Sequence, residues 1–145
     1  MNYPKKIFLA DDDCDDVDFF TAALSEIAPD SELTAASDGQ ELIEKLRTTE
    51  KAPDIIFLDI NMPKVDGINA LKVIRNEMPV VKDVPVIMYS TSNNETFIKS
   101  AYNAGANCFF TKPMNFHELK ACISNFLLAD WKKTVLPYEE FAVVI

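Results

Sequence analysis

The stretch "DIIFLDINMPKVDG", residues 54–67, decides how the chain folds. Its apolar run, Ile55-Ile56-Phe57-Leu58, is too short for a helix. With no polar residue alternating through it, the run reads as a strand buried on both faces. The strand stops at an acid, Asp59, and the loop beyond it carries Pro63 and Gly67.

Runs of the same kind lie on either side, at residues 7–10, 33–36, 84–89 and 108–110. Between them the apolar residues recur at three and four: Val17, Phe20, Leu24 and Ile27; Leu42, Ile43 and Leu46; Ile68, Leu71, Ile74 and Met78; Phe97, Ala101 and Ala104; Phe116, Leu119, Ile123, Phe126 and Leu127. Each set predicts a helix that covers a core with one face. Boundary residues agree, since Ser37-Asp38-Gly39-Gln40-Glu41 and Ser92-Asn93-Asn94-Glu95 offer capping side chains and Gly105 stands where a helix should end. Parallel strands need crossovers, and the crossovers cover the sheet. Five strand–helix pairs therefore predict an α/β fold, a doubly wound five-stranded parallel sheet with five helices.

Composition narrows the function. A chain of 145 residues with 48% hydrophobic content is one globular domain. A formal net charge of −9 opposes nucleic-acid binding, which rests on clustered Lys and Arg. No run of eighteen apolar residues and no secretory leader is present, so no membrane insertion and a cytoplasmic location are expected. Cys14, Cys108 and Cys122 have neither zinc nor C-x-x-C spacing and read as reduced thiols. The sequon Asn94-Glu95-Thr96 reads as chance, and His117, the single histidine, as a solvated helix residue.

In doubly wound sheets, ligands gather beyond the carboxyl ends of the strands, where the strand order reverses. That rule selects Asp11 and Asp12 after strand one, Asp59 after strand three, Ser90 and Thr91 at strand four, and Lys112 at strand five. Carboxylates this close repel one another unless a cation intervenes, and hard oxygen ligands suit Mg²⁺, with Mn²⁺ as an alternative. A hydroxyl and an ammonium beside the metal suit a tetrahedral anion. Phosphoryl chemistry accommodates both halves, with an aspartate as nucleophile. Asp13 adds negative potential without a clear ligand role, and Asp15, Asp16 and Asp18 fall at the start of helix one, where negative charge is favourable.

As a set, "LADDD", "DIIFLDINMPKVDG", "VPVIMYSTS" and "AGANCFFTKP" resemble the four landmark segments of the response-regulator receiver family, over residues 5–128. The resemblance implies strand order 2-1-3-4-5. It makes Asp59 the phospho-acceptor, Asp12 a direct metal ligand and Asp11 one acting mainly through water, with Asn61 giving its backbone carbonyl to the metal. It makes Ser90 the switch hydroxyl, Lys112 the partner of the phosphoryl group and Phe109 the switch aromatic, here without a phenolic hydroxyl. Asn61 and Ser92 flank the path of attacking water and tune dephosphorylation. It also implies a cis Lys112-Pro113 bond, and at Gly67 a loop position needing permissive backbone geometry.

The expected function is a signalling switch or phosphorelay intermediate that accepts phosphate on Asp59 from a histidine kinase or histidine phosphotransfer protein. The response would reach a downstream protein through the face of helix four, strand five and helix five, with homodimerisation left open. Such a protein catalyses its own phosphoryl transfer and autodephosphorylation rather than acting as an enzyme on other molecules. Two rivals stand beside it. A phosphorylation-independent binding domain would not need the retained acids, Ser90 and Lys112. A Mg²⁺-dependent aspartyl-phosphate phosphatase would need a second acid where Asn61 stands. Residues 1–128 form the receiver and 129–145 an extension too short for an output domain. In that extension Trp131, Tyr138, Phe141 and the terminal Val-Val-Ile either pack on the last helix or form an edge that recruits a partner.

Overall fold

The computed structural model describes residues 5–131 and 136–143. Five strands, β1 (Lys6–Ala10), β2 (Glu32–Ala36), β3 (Ile55–Leu58), β4 (Val86–Ser90) and β5 (Cys108–Thr111), alternate with helices α1 (Cys14–Ile27), α2 (Gly39–Thr48), α3 (Gly67–Glu77), α4 (Glu95–Ala104) and α5 (Phe116–Leu128). All neighbours pair in parallel in the order 2-1-3-4-5. The doubly wound α/β architecture is thus as the sequence predicts.

Burial on both faces follows from the strand period of two. Ile7, Leu9, Ile55, Phe57, Ile87, Tyr89 and Phe110 meet α1 and α5 on one side. Phe8, Ala10, Ile56, Leu58, Val86, Met88 and Phe109 meet α2, α3 and α4 on the other. A strand with both sets of side chains in a core has no register to slip to without burying the wrong residues.

Helix starts are fixed by side chains. Asp13, whose role the sequence leaves open, is the N-cap of α1 and accepts from the N–H groups of Asp15 and Asp16. Asp38 caps α2 by accepting from Glu41 N–H at 2.8 Å, and Glu41 reaches back past it to accept from the N–H of Ser37. That backbone donor holds the exposed Glu41 carboxyl below its usual range. Asn94 caps α4, and Gly105 ends it in the left-handed region at φ 99°.

The tail follows one expected alternative only in part. Trp131 packs on α5, its indole N–H donating to Phe126 carbonyl at 3.0 Å. Residues 138–143 instead run along the free edge of β5 as a short helix, α6 (Tyr138–Phe141), and a two-residue sixth strand, β6 (Ala142–Val143), with Phe109 opposite Ala142 and Phe110 opposite Val143. An edge strand offers unpaired backbone groups, and this segment satisfies them from within the chain. Phe141 is buried, and Tyr102 of α4 stacks edge-on against both Tyr138 and Phe141 at 5.2 Å. Val144 and Ile145 lie outside the described residues. Among the described residues, no helix is long and apolar enough to cross a membrane.

Candidate functional site

The parallel register gathers the strand ends. Asp11 N–H donates to Ala36 carbonyl, Asp59 N–H to Ala10 carbonyl and Lys112 N–H to Ser90 carbonyl, at 3.0, 2.9 and 2.8 Å. Each predicted residue thus continues its strand by one ladder step, and the side chains converge at the carboxyl edge between β1, β3, β4 and β5.

Lys112 is the hub. Its Nζ lies 2.7 Å from Asp11 Oδ2, 2.9 Å from Asp16 Oδ2 and 3.3 Å from Asp59 Oδ2, with only 7% of its side chain exposed. It also stands 5.0 Å from the centroid of the Tyr89 ring, whose face favours a cation. Burial alone would lower the lysine's pKa, but hydrogen bonds to Asp11 and Asp16 and the charge of Asp59 raise it above the ordinary value. The ammonium is therefore charged at any working pH.

Asp59 is buried, and its Oδ1 accepts from Ile60 N–H at 2.8 Å. Burial, reinforced by the neighbouring Asp11 charge and only partly offset by Lys112, raises its pKa from 3.8 to about 7. Oxygens of Asp11, Asp12 and Asp59 lie within 4.8 Å of one another. Asp11 is buried and Asp12 exposed, so this triad opens to solvent on one side. Three hard carboxylate oxygens, one still wet, around a site that leaves Asp59 undercompensated fit a divalent cation that keeps some of its water.

Ser90 is fully buried, and its Oγ accepts from Ser92 N–H at 3.1 Å. Ser92 is half-buried, its Oγ 3.4 Å from Asn94 N–H, and Asn61 is exposed two residues beyond Asp59. Phe109 is wholly buried on the α4 side of β5. Three predicted residues, Asp11, Asp59 and Lys112, are in direct contact, while Asp12 completes the carboxylate triad.

Two points differ from expectation. Gly67 does not have positive φ; the left-handed residue of this loop is Lys64, at φ 66°. Glycine is required at 67 for space, because a Cβ there would lie 2.0 Å from Asp59 carbonyl oxygen, while Gly67 N–H donates to Ile60 carbonyl at 2.8 Å. Asp16 is the residue sequence reasoning missed. Its place in the first turn of α1 explains an acid without reference to the site, and only the fold reveals that this turn lies over Lys112.

Comparison with known proteins gives one family. The response regulator receiver domain matches residues 7–124. The response regulator Rcp1 of a Synechocystis species is 31% identical over 139 residues, covering 92% of this chain and 93% of its own length. Matches also occur in longer proteins: a protein-glutamate methylesterase/protein-glutamine glutaminase of Lawsonia intracellularis is 41% identical over 85 residues, a match that covers 56% of this chain and only 22% of that protein. Among solved structures, the phosphorylated cyanobacterial phytochrome response regulator RcpA superposes with a TM-score of 0.78 at 34% identity, over 86% of this chain and 91% of its own. The Mn²⁺-bound form of Rcp1 gives 0.77 at 29% identity, over 92% and 99%.

Proposed function

The chain belongs to the response regulator receiver family, and from that premise we propose that it is a phosphorylation-dependent signalling switch or relay whose acceptor is Asp59. One observation carries the assignment: Lys112 bridges Asp11 and Asp59, while Asp12 brings a third carboxylate oxygen within 4.8 Å of theirs. A purely structural ion pair would not need that third, solvent-facing acid.

In the proposed reaction a carboxylate oxygen of Asp59 attacks the phosphorus of a phosphohistidine on a kinase or phosphotransfer protein. The new O–P bond forms as the P–N bond breaks, and the departing imidazole nitrogen takes a proton from solvent. The Lys112 ammonium and the Ser90 hydroxyl offset charge on the phosphoryl oxygens. Asp12, Asp59 and the Asn61 carbonyl, with Asp11 acting mainly through water, would hold Mg²⁺ or Mn²⁺, which would supply further positive charge there. Asn61 and Ser92 stand beside the route of the water that later hydrolyses the aspartyl phosphate and so set its lifetime.

The switch then follows from differential affinity, since the phosphoryl group favours one arrangement of Ser90 and Phe109 over another. The responding face is α4, β5 and α5, of which residues 138–143 form a part because they lie along β5. Residues 1–128 act as the receiver and 129–145 as its extension, in the cytoplasm. The test is incubation with Mg²⁺ and phosphoramidate, with intact mass as the readout. One added phosphoryl group, absent from Asp59→Ala, is expected; no adduct, together with no beryllium fluoride binding, would reject the assignment.

A further inference from the structure

An ammonium group has three N–H donors, and in this protein all three of Lys112's are engaged, by Asp11, Asp16 and Asp59. Phosphorylation consumes the Asp59 carboxylate and frees the donor it holds for a phosphoryl oxygen, but Asp11 and Asp16 still compete with the phosphoryl group for the same ammonium. The three are not equally displaceable. Asp11's side chain is fully buried and cannot recover hydration by turning away, and the Asp59 contact is the one that phosphorylation itself replaces. Asp16, with 32% of its side chain exposed, can rotate into water at little cost.

We propose that Asp16 is a positioning residue that holds Lys112 in the unphosphorylated protein and competes with the phosphoryl group for it. This rests on the assignment of Asp59 as acceptor. Asp16 acts through Lys112, competing for its third donor, and thereby opposes the phosphorylated state. It does so from a position that also serves α1, because its own N–H is capped by Asp13. The acid that starts the helix and the acid that holds the lysine are one residue, so displacing it carries the state of Asp59 to the first turn of α1.

The test compares wild type, Asp16→Asn and Asp15→Asn. The last removes the same charge from the same turn, but its carboxylate makes no ion pair with Lys112. Asp16→Asn is expected to bind beryllium fluoride, in Mg²⁺, about fivefold more tightly than either, the scale of one partly exposed ion pair. It should also be phosphorylated faster by phosphoramidate. In the metal-free protein the Lys112 ammonium protons, followed by ¹H–¹⁵N NMR, should exchange with solvent faster in Asp16→Asn than in Asp15→Asn, and Asp16→Glu should restore wild-type behaviour. A neutral side chain at this half-exposed site leaves the fold intact, which a thermal melt checks. Equal or weaker beryllium fluoride binding in Asp16→Asn, with wild type active, overturns this inference alone. A wild type that takes neither beryllium fluoride nor phosphate overturns the assignment of Asp59 instead.

Discussion

Replacing Asp59 by asparagine should stabilise the metal-free protein, and by an amount that depends on pH in a defined way. The carboxyl is buried, and its pKa is raised from 3.8 to about 7, chiefly by burial. A raised pKa means that the folded protein prefers the neutral acid. The wild type therefore has its full stability below about pH 4 and loses part of it as pH rises to about 7, above which both folded and unfolded states are ionised and the loss is constant. At about 1.4 kcal/mol for each pH unit of that interval, the ceiling is about 4 kcal/mol. The amide keeps the shape of the acid and does not titrate. The difference between Asp59→Asn and wild type should thus be near zero at pH 4, climb through pH 5 and 6, and level off above pH 7 at about 2–4 kcal/mol in favour of the variant. Urea denaturation in EDTA at each pH measures it, and subtracting the two proteins removes the titration of the acids that do not interact with Asp59. Added Mg²⁺ should stabilise the wild type more than the variant and close the gap. A difference that does not change with pH, or a variant less stable than wild type at pH 8, would refute the account of Asp59 as an undercompensated buried anion.

Three further outcomes follow from the packing. Gly67→Ala drives a methyl group into Asp59 carbonyl oxygen, so the loop after β3 must shift; thermal melts should show a loss of about 2 kcal/mol or more, and phosphorylation should fall with it. Phe141→Ala removes a buried ring from the α4 side of the sheet and should cost about 3–5 kcal/mol by chemical denaturation, with faster hydrogen exchange at the backbone of β5. Arg75 donates from α3 to the carbonyls of Lys82, Val84 and Gly105 and to Asn107 Oδ1, all within 2.9 Å, tying the ends of α3 and α4 to β4. Arg75→Ala removes this donor from three carbonyls, while Asn107 Oδ1 keeps Val86 N–H, and a loss of about 2–3 kcal/mol in urea titrations is expected, against a smaller loss for Arg75→Lys.

What the sequence makes legible, and what it does not, separates along a physical line. Strands buried on both faces write their register directly, because every residue of Ile55–Leu58 must be apolar and the next residue, Asp59, is where the apolar run ends. The strand-end rule then finds the site without side-chain coordinates, since parallel register alone brings Asp11, Asp59, Ser90 and Lys112 to one edge. Features governed by contact between segments far apart in the chain leave no such signature. Gly67 reads as a turn residue until the carbonyl of Asp59 is seen beneath it, and a two-residue strand such as β6 has no period to detect. Asp16 is the sharper case. An acid in the first turn of a helix already has a sufficient local reason to be there, and that sufficiency hides its second partner, Lys112, ninety-six residues away. Charge at a helix start is inexpensive to place and tolerant of substitution. A receiver with this first turn can therefore vary the third partner of its lysine, and with it the balance between the two states of Asp59, without altering any residue that binds metal or accepts phosphate.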